Sequence, residues 1–321
     1  MKRILVLAIC LFSITESGGW GFYAHRQINQ YAVYLLPPEM LLFYKRQIPF
    51  LHEHAVDPDK RRYAVAAEGP RHFIDIDHYG SYPYTALPRK WEDAVQMYGE
   101  DSLNKYGIAP WWIQTMLFRL TKAMREKNSS GILRLSAELG HYLGDIHVPL
   151  HASSNHNGQH TGQHGIHGFW ESRVPELLAA KEWDFFIGKA DYIEDPLDFT
   201  WARVLESAAA ADTVLKTEKA LSQRFPPDRK YSFELRNGLL VRQYSDAYTR
   251  EYDRLLKNMV ERRMRQSVYA VASFWYTAWV NAGQPELGNL TAIPDEPLTN
   301  SGMDSLSLQW KSGKIIGKEC L

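Results

Sequence analysis

The chain has 321 residues, of which 45% are hydrophobic and 23% charged, an ordinary globular composition that builds a normal core without staples. Lys plus Arg and Asp plus Glu are each 37, so the formal net charge is zero. That excludes a protein whose main business is coating nucleic acid, though not a nuclease with one local groove. Aromatic residues reach 13%, which is read first as a core of large side chains.

At the N-terminus, Lys2 and Arg3 precede an apolar run over residues 4–14 that is too short to span a bilayer. Ser17 and Gly19 are small residues before a cleavage point. The expectation is a signal peptide over residues 1–19 and a secreted or periplasmic chain starting at Trp20. The only cysteines are Cys10 and Cys320, so cleavage would leave no internal disulfide framework.

Beyond the leader, apolar residues recur at helical spacing. Residues 25–36 read as a helix closed by Pro37, and Pro38 can open the next one. Residues 51–81 are rich in charge, His, Asp and Pro, and read as loop with short helical turns. Pro110 opens another helix, residues 132–146 form a further one stopped near Pro149, and residues 152–166 are a Gly/Asn/Gln/His loop. Residues 167–180 are helical again, and long amphipathic helices are expected over 201–224 and 239–282. No strong run of alternating strand residues appears. The fold class is therefore all-α, a single multi-helix domain over residues 20–284 with a polar, partly disordered tail over 285–321.

Metal chemistry is written in the spacing of His and carboxylate. His141 and Asp145 are four apart and share a helix face, and His151 follows just past the helix end. His167 and Glu171 repeat the four-residue spacing at the start of the next helix. Zinc takes imidazole nitrogen and carboxylate oxygen, three or four at a time. Upstream, Asp57 and His72 offer two more ligands, with Asp59, Asp75 and Asp77 competing for the acidic role. At the expected new N-terminus, the Trp20 amine, with an ordinary pKa near 8, is a plausible nitrogen ligand, and His25 follows five residues later.

Taken in order, Trp20, His25, Asp57, His72, His141, Asp145, His151, His167 and Glu171 resemble the zinc-dependent phospholipase C and S1/P1 nuclease superfamily. The resemblance implies about three Zn2+ ions per chain: one on Asp57, His72, His141 and Asp145, one on His151, His167 and Glu171, and one on Trp20 and His25 sharing Asp145. It implies hydrolysis of phosphodiesters, with Asp57 and Asp145 at the catalytic centre. The substrate would be a phospholipid headgroup or single-stranded nucleic acid. In the nuclease branch Phe73 and Asp75 would hold a base. The HYLGD segment and Glu171 lean toward phospholipase C. A non-catalytic zinc-binding protein is the alternative from another class.

Overall fold

The computed structural model describes residues 21–236 and 238–290. The expected leader, Trp20 and residues 291–321 lie outside the described residues.

The expectation of a mostly helical chain holds. Helix α1 (Phe22–Val33) is followed by α2 (Pro38–Arg46), α3 (Ile48–His54) and the short α4 (Asp57–Arg61). Two 3-10 turns, Gly69–His72 and Ile76–Tyr79, give residues 51–81 the broken helical character their Pro and Asp content predicts. Helices α5 (Trp91–Tyr98) and α6 (Glu100–Tyr106) lead to α7 (Ala109–Arg125) and α8 (Ser129–Asp145). Asn128 caps α8 by accepting a hydrogen bond from the Gly131 amide at 3.0 Å. After the 3-10 turn Pro149–Ala152 and a loop come the single turn α9 (Ile166–Gly168), a π-turn over Phe169–Arg173, and α10 (Val174–Glu182). The 29-residue α11 (Pro196–Arg224) starts earlier than expected because Pro196 sits at its first position and the Asp195 side chain accepts from the Asp198 amide.

Residues 239–282 are not one helix. An antiparallel hairpin, β1 (Tyr231–Arg236) and β2 (Leu239–Tyr244), precedes α12 (Asp246–Leu255) and α13 (Met259–Asn281). The hairpin turn carries Gly238 at φ 80°, a conformation glycine adopts freely. Ser245 caps α12 through its side chain. Lys257 and Asn258, both at positive φ, end the run before α13.

One core joins these helices. Helix α13 packs against α1, α7 and α8, while α11 packs on α7, α12 and the turn at Pro149. Trp170, Trp201 and Trp275 are fully buried, so much of the aromatic content is core. Trp275 donates to the Ser136 carbonyl at 3.0 Å, and Tyr44 bonds the Ser136 hydroxyl. Among the described residues no helix is long and apolar enough to cross a membrane.

Candidate metal centre

Eight side chains from six parts of the chain converge in the interior. His25 comes from α1, Asp59 from α4, and His72 from the end of the turn Gly69–His72. His141 and Asp145 lie one turn apart on α8, His151 lies on the turn Pro149–Ala152, and His167 and Glu171 lie on α9 and the π-turn. None is more than 3% exposed.

Asp145 is the hub. Its Oδ2 lies 3.0 Å from His72 Nδ1 and 3.3 Å from His141 Nε2. Its Oδ1 lies 3.4 Å from His25 Nε2 and 3.9 Å from His151 Nε2. The two nitrogens of the first group, His72 Nδ1 and His141 Nε2, are 3.1 Å apart, and Asp59 Oδ1 closes that group at 3.9 and 3.8 Å from them. In the second group His151 Nε2 and His167 Nε2 are 3.2 Å apart, with Glu171 Oε2 at 3.5 and 2.9 Å. Ligands on a tetrahedral ion with bonds near 2.0–2.2 Å stand about 3.3 to 3.6 Å from one another. Both groups therefore have the size of a coordination shell. A third group, His25, His141 and Asp145, is built on the same hub.

The hydrogen bonds around the imidazoles point their free nitrogens inward. A carbonyl can only accept, so His141 Nδ1 donates to Ala55 O at 2.8 Å, His151 Nδ1 to His72 O at 2.5 Å, and His167 Nδ1 to His156 O at 3.0 Å. Each ring then turns its Nε2 toward the cluster. His72 is turned the other way. Its Nδ1 faces the hub, and its Nε2 faces Glu68 Oε1 at 3.7 Å, an ion-pair distance. Glu68, itself 1% exposed, is held by Arg61, Arg71 and the Tyr142 hydroxyl.

The electrostatics fit the same reading. Burial pushes the Glu171 carboxyl up to about 7, against the opposing pull of His151. Burial would lower His72, but the carboxylates of Asp145 and Glu68 outweigh it and lift the ring to about 9. Burial brings His167 down to about 4 and holds His141 well below its ordinary value. Burial also opposes ionisation of Asp145, yet the surrounding imidazoles keep it well below the carboxylate range. Both oxygens of Asp59 and Glu171, Asp145 Oδ1 and both nitrogens of His25 have no hydrogen-bond partner despite being buried. Such atoms are costly inside a protein unless something binds them. Three buried carboxylates beside inward ring nitrogens are a donor set for divalent cations.

One expected ligand lies apart from the others. Asp57 does not face the cluster: it accepts from His54 Nδ1 at 2.6 Å and Lys60 Nζ at 3.4 Å. Two residues along a helix are about 200° apart, so α4 turns Asp59 inward and Asp57 outward. Asp77 is used elsewhere, accepting from the Ser154 amide and hydroxyl to fix the loop. Phe73 is 8% exposed, packed beside Gly107, and Asp75 is 3% exposed and outside the three groups. His160 and His164 are exposed, as expected of solvated loop residues. Trp20 lies outside the described residues, but its neighbour Gly21 donates to Glu171 O at 3.2 Å and packs against Ser172. The chain therefore enters the domain at the wall of the second group.

Glu68 and its cationic partners were not anticipated. The signal was present as a Glu68–His72 pair at four-residue spacing, in a stretch whose Pro and Gly content disguised it. No model of a known protein family matches the chain, and no curated protein does.

Proposed function

We propose that the protein is a zinc-dependent hydrolase of phosphodiester bonds, with the fold of the phospholipase C and S1/P1 nuclease superfamily and a lean toward phospholipid. The observation that carries the reading is the division of one buried carboxylate, Asp145, between groups of ligands spaced as coordination shells. Asp59, His72, His141 and Asp145 would hold one ion, and His151, His167 and Glu171 a second. His25, with Asp145 and the Trp20 amine and carbonyl, would hold a third. Bound zinc supplies a nucleophilic water near neutral pH and a positive charge for phosphoryl oxygens.

The chain's residues prepare that chemistry. Asp145 keeps the neighbouring groups at a fixed separation. Asp59, both of whose oxygens have no hydrogen-bond partner, offers one to the ion and the other to a proton leaving the attacking water. His151, His167 and Glu171 supply three donors, and an ion held by three protein groups would keep a position for a phosphoryl oxygen, as catalytic rather than structural zinc sites do. The carbonyl-anchored imidazoles keep their tautomers through the cycle.

Phe73 and Asp75, which would hold a base in a nuclease, are both buried, and this supports the lean toward lipid. The test offers phosphatidylcholine vesicles and single-stranded DNA side by side to the purified secreted protein, with zinc and with a chelator. Chelator-sensitive release of a phosphorylated headgroup is expected. Release of nucleotides would move the reading to the nuclease branch. No product from any phosphodiester, with zinc fully bound, would leave a non-catalytic zinc-binding protein.

A further inference from the structure

The β1–β2 hairpin has two unlike faces. The cross-strand pairs Ser232–Gln243, Glu234–Val241 and Arg236–Leu239 share one of them. This face is clamped to the body, with Arg173 forking onto the Glu234 carboxylate and Arg236 donating to Glu176 at 2.7 Å. The pairs Tyr231–Tyr244, Phe233–Arg242 and Leu235–Leu240 share the other face. Tyr244 anchors its base by stacking on Phe169 at 3.8 Å.

Beyond that base the usual arrangement is inverted. The charged side chains Glu234 and Arg236 are tied inward by ion pairs, while the apolar ones face solvent. Leu235 is 74% exposed, and Phe233, Leu239 and Leu240 are each 67% exposed. Four large apolar side chains concentrated on one short hairpin form an interaction patch, unlike singly scattered surface residues. Of the cations near them, Lys230 pairs with Glu218 and Arg236 with Glu176, which leaves Arg229 and Arg242 beside the exposed Asp228. Arg229 and Arg242 are solvent-exposed. An apolar tip bordered by cations complements anionic headgroups above an acyl layer.

We propose that this hairpin is a lipid-surface anchor: Phe233, Leu235 and Leu240, on the face turned from the body, enter the headgroup–acyl boundary with Leu239 at the tip, and Arg242 and Arg229 meet lipid phosphates. Its attachment places it beside the metal centre. Arg173, which holds Glu234 and also donates to the Tyr244 carbonyl at 3.0 Å, lies on the same π-turn as Glu171. That the anchor presents the cluster to membrane phosphodiesters rests on the hydrolase reading; the docking itself does not.

Co-sedimentation with sucrose-loaded vesicles tests this directly. The protein is expected to pellet with vesicles of equal parts phosphatidylcholine and phosphatidylglycerol, less with phosphatidylcholine alone, and less as salt rises. The double variant Leu235→Ser, Leu240→Ser should lose about tenfold or more in partitioning. It should keep its melting temperature and its rate on the soluble diester bis(p-nitrophenyl) phosphate. If neither protein cleaves that diester but the binding difference stands, the hydrolase reading fails and the anchor survives. The anchor is overturned if the unaltered protein stays in the supernatant with both vesicles, or if the variant pellets equally well. It is also overturned if sedimentation velocity finds a dimer that the substitutions abolish while vesicle binding is absent, which would make the hairpin a contact between copies.

Discussion

A Cβ on Gly140 would lie 1.9 Å from Asn29 Oδ1, so helices α1 and α8 approach more closely than any side chain at position 140 permits. Asn29 uses the approach to donate to the carbonyls of Leu51 at 3.3 Å and Ala137 at 3.0 Å. One turn before Asn29 stands His25, and directly after Gly140 stands His141. Their rings stack with centroids 3.8 Å apart. The glycine thus joins a packing requirement to the assembly of the metal centre.

Gly140→Ala should therefore destabilise the protein. Alanine improves a helix interior by about 1 kcal/mol, but overpacking against a buried, doubly bonded Asn29 costs about 1 to 3 kcal/mol. The clash is expected to win. Thermal unfolding should show a lower midpoint, and metal analysis a lower zinc content, since His25 is pushed from Asp145. An unchanged midpoint would mean that α1 shifts freely.

Asp59→Asn and Asp57→Asn should separate cleanly. On the proposed assignment, loss of the Asp59 carboxylate should remove about one zinc per chain and slow diester cleavage by about 100-fold or more, because it would delete a direct ligand. Asp57→Asn touches only the His54 and Lys60 contacts at a partly exposed position, worth about 1 kcal/mol or less. Its metal content should stay unchanged. Zinc analysis of both variants decides the assignment, and the reverse result would restore Asp57 as the ligand.

Glu68→Gln keeps the shape of the side chain and removes the charge facing His72 Nε2. It also leaves Arg71 with a neutral partner, while Arg61 keeps Glu138 at 2.6 Å. Zinc affinity should fall about 10- to 100-fold, the usual effect of removing a carboxylate behind a metal-bound imidazole. Competition with a chromogenic chelator measures this. A variant with native affinity would show that packing alone holds the His72 ring.

With metal removed, stability should decline as pH rises from about 6.5 to 9. His72 is raised from 6.5 to about 9, so its contribution is complete below its unfolded value and is lost as pH rises through its folded value. Glu171, raised from 4.5 to about 7, acts in the same direction and has lost most of its contribution by pH 7. His167, lowered to about 4, acts oppositely, and only below about 6.5. Melts in chelator between pH 6.5 and 9 should move downward, while zinc affinity climbs because the ligands bind metal deprotonated. A flat profile in chelator would remove the electrostatic account of the cluster.

The sequence carried the helical class and most of the buried His and carboxylate cluster because both depend on local spacing. Four-residue spacing placed His141 with Asp145 and His167 with Glu171 without reference to the rest of the chain. The choice between Asp57 and Asp59 was closed to such reading, since it depends on which side of a five-residue helix faces α8. Glu68 was hidden because its role comes from Arg61, Arg71 and Tyr142, which only tertiary folding brings to it. The hairpin was legible too, since Tyr231, Phe233 and Leu235 alternate with Ser232, Glu234 and Arg236 ahead of an Asn237–Gly238 pair, but the helical reading of residues 239–282 passed over it.

Because the two oxygens of Asp145 serve different neighbours, the carboxylate cannot be oriented for one group without being oriented for the others. The first ion to bind would meet the cost of fixing that side chain, and the next would find it already fixed. Zinc uptake should therefore be cooperative, and by linkage the loss of one ion should weaken the grip on the rest. The centre would then respond to metal supply over a narrow range of concentration, filling or emptying nearly as a unit.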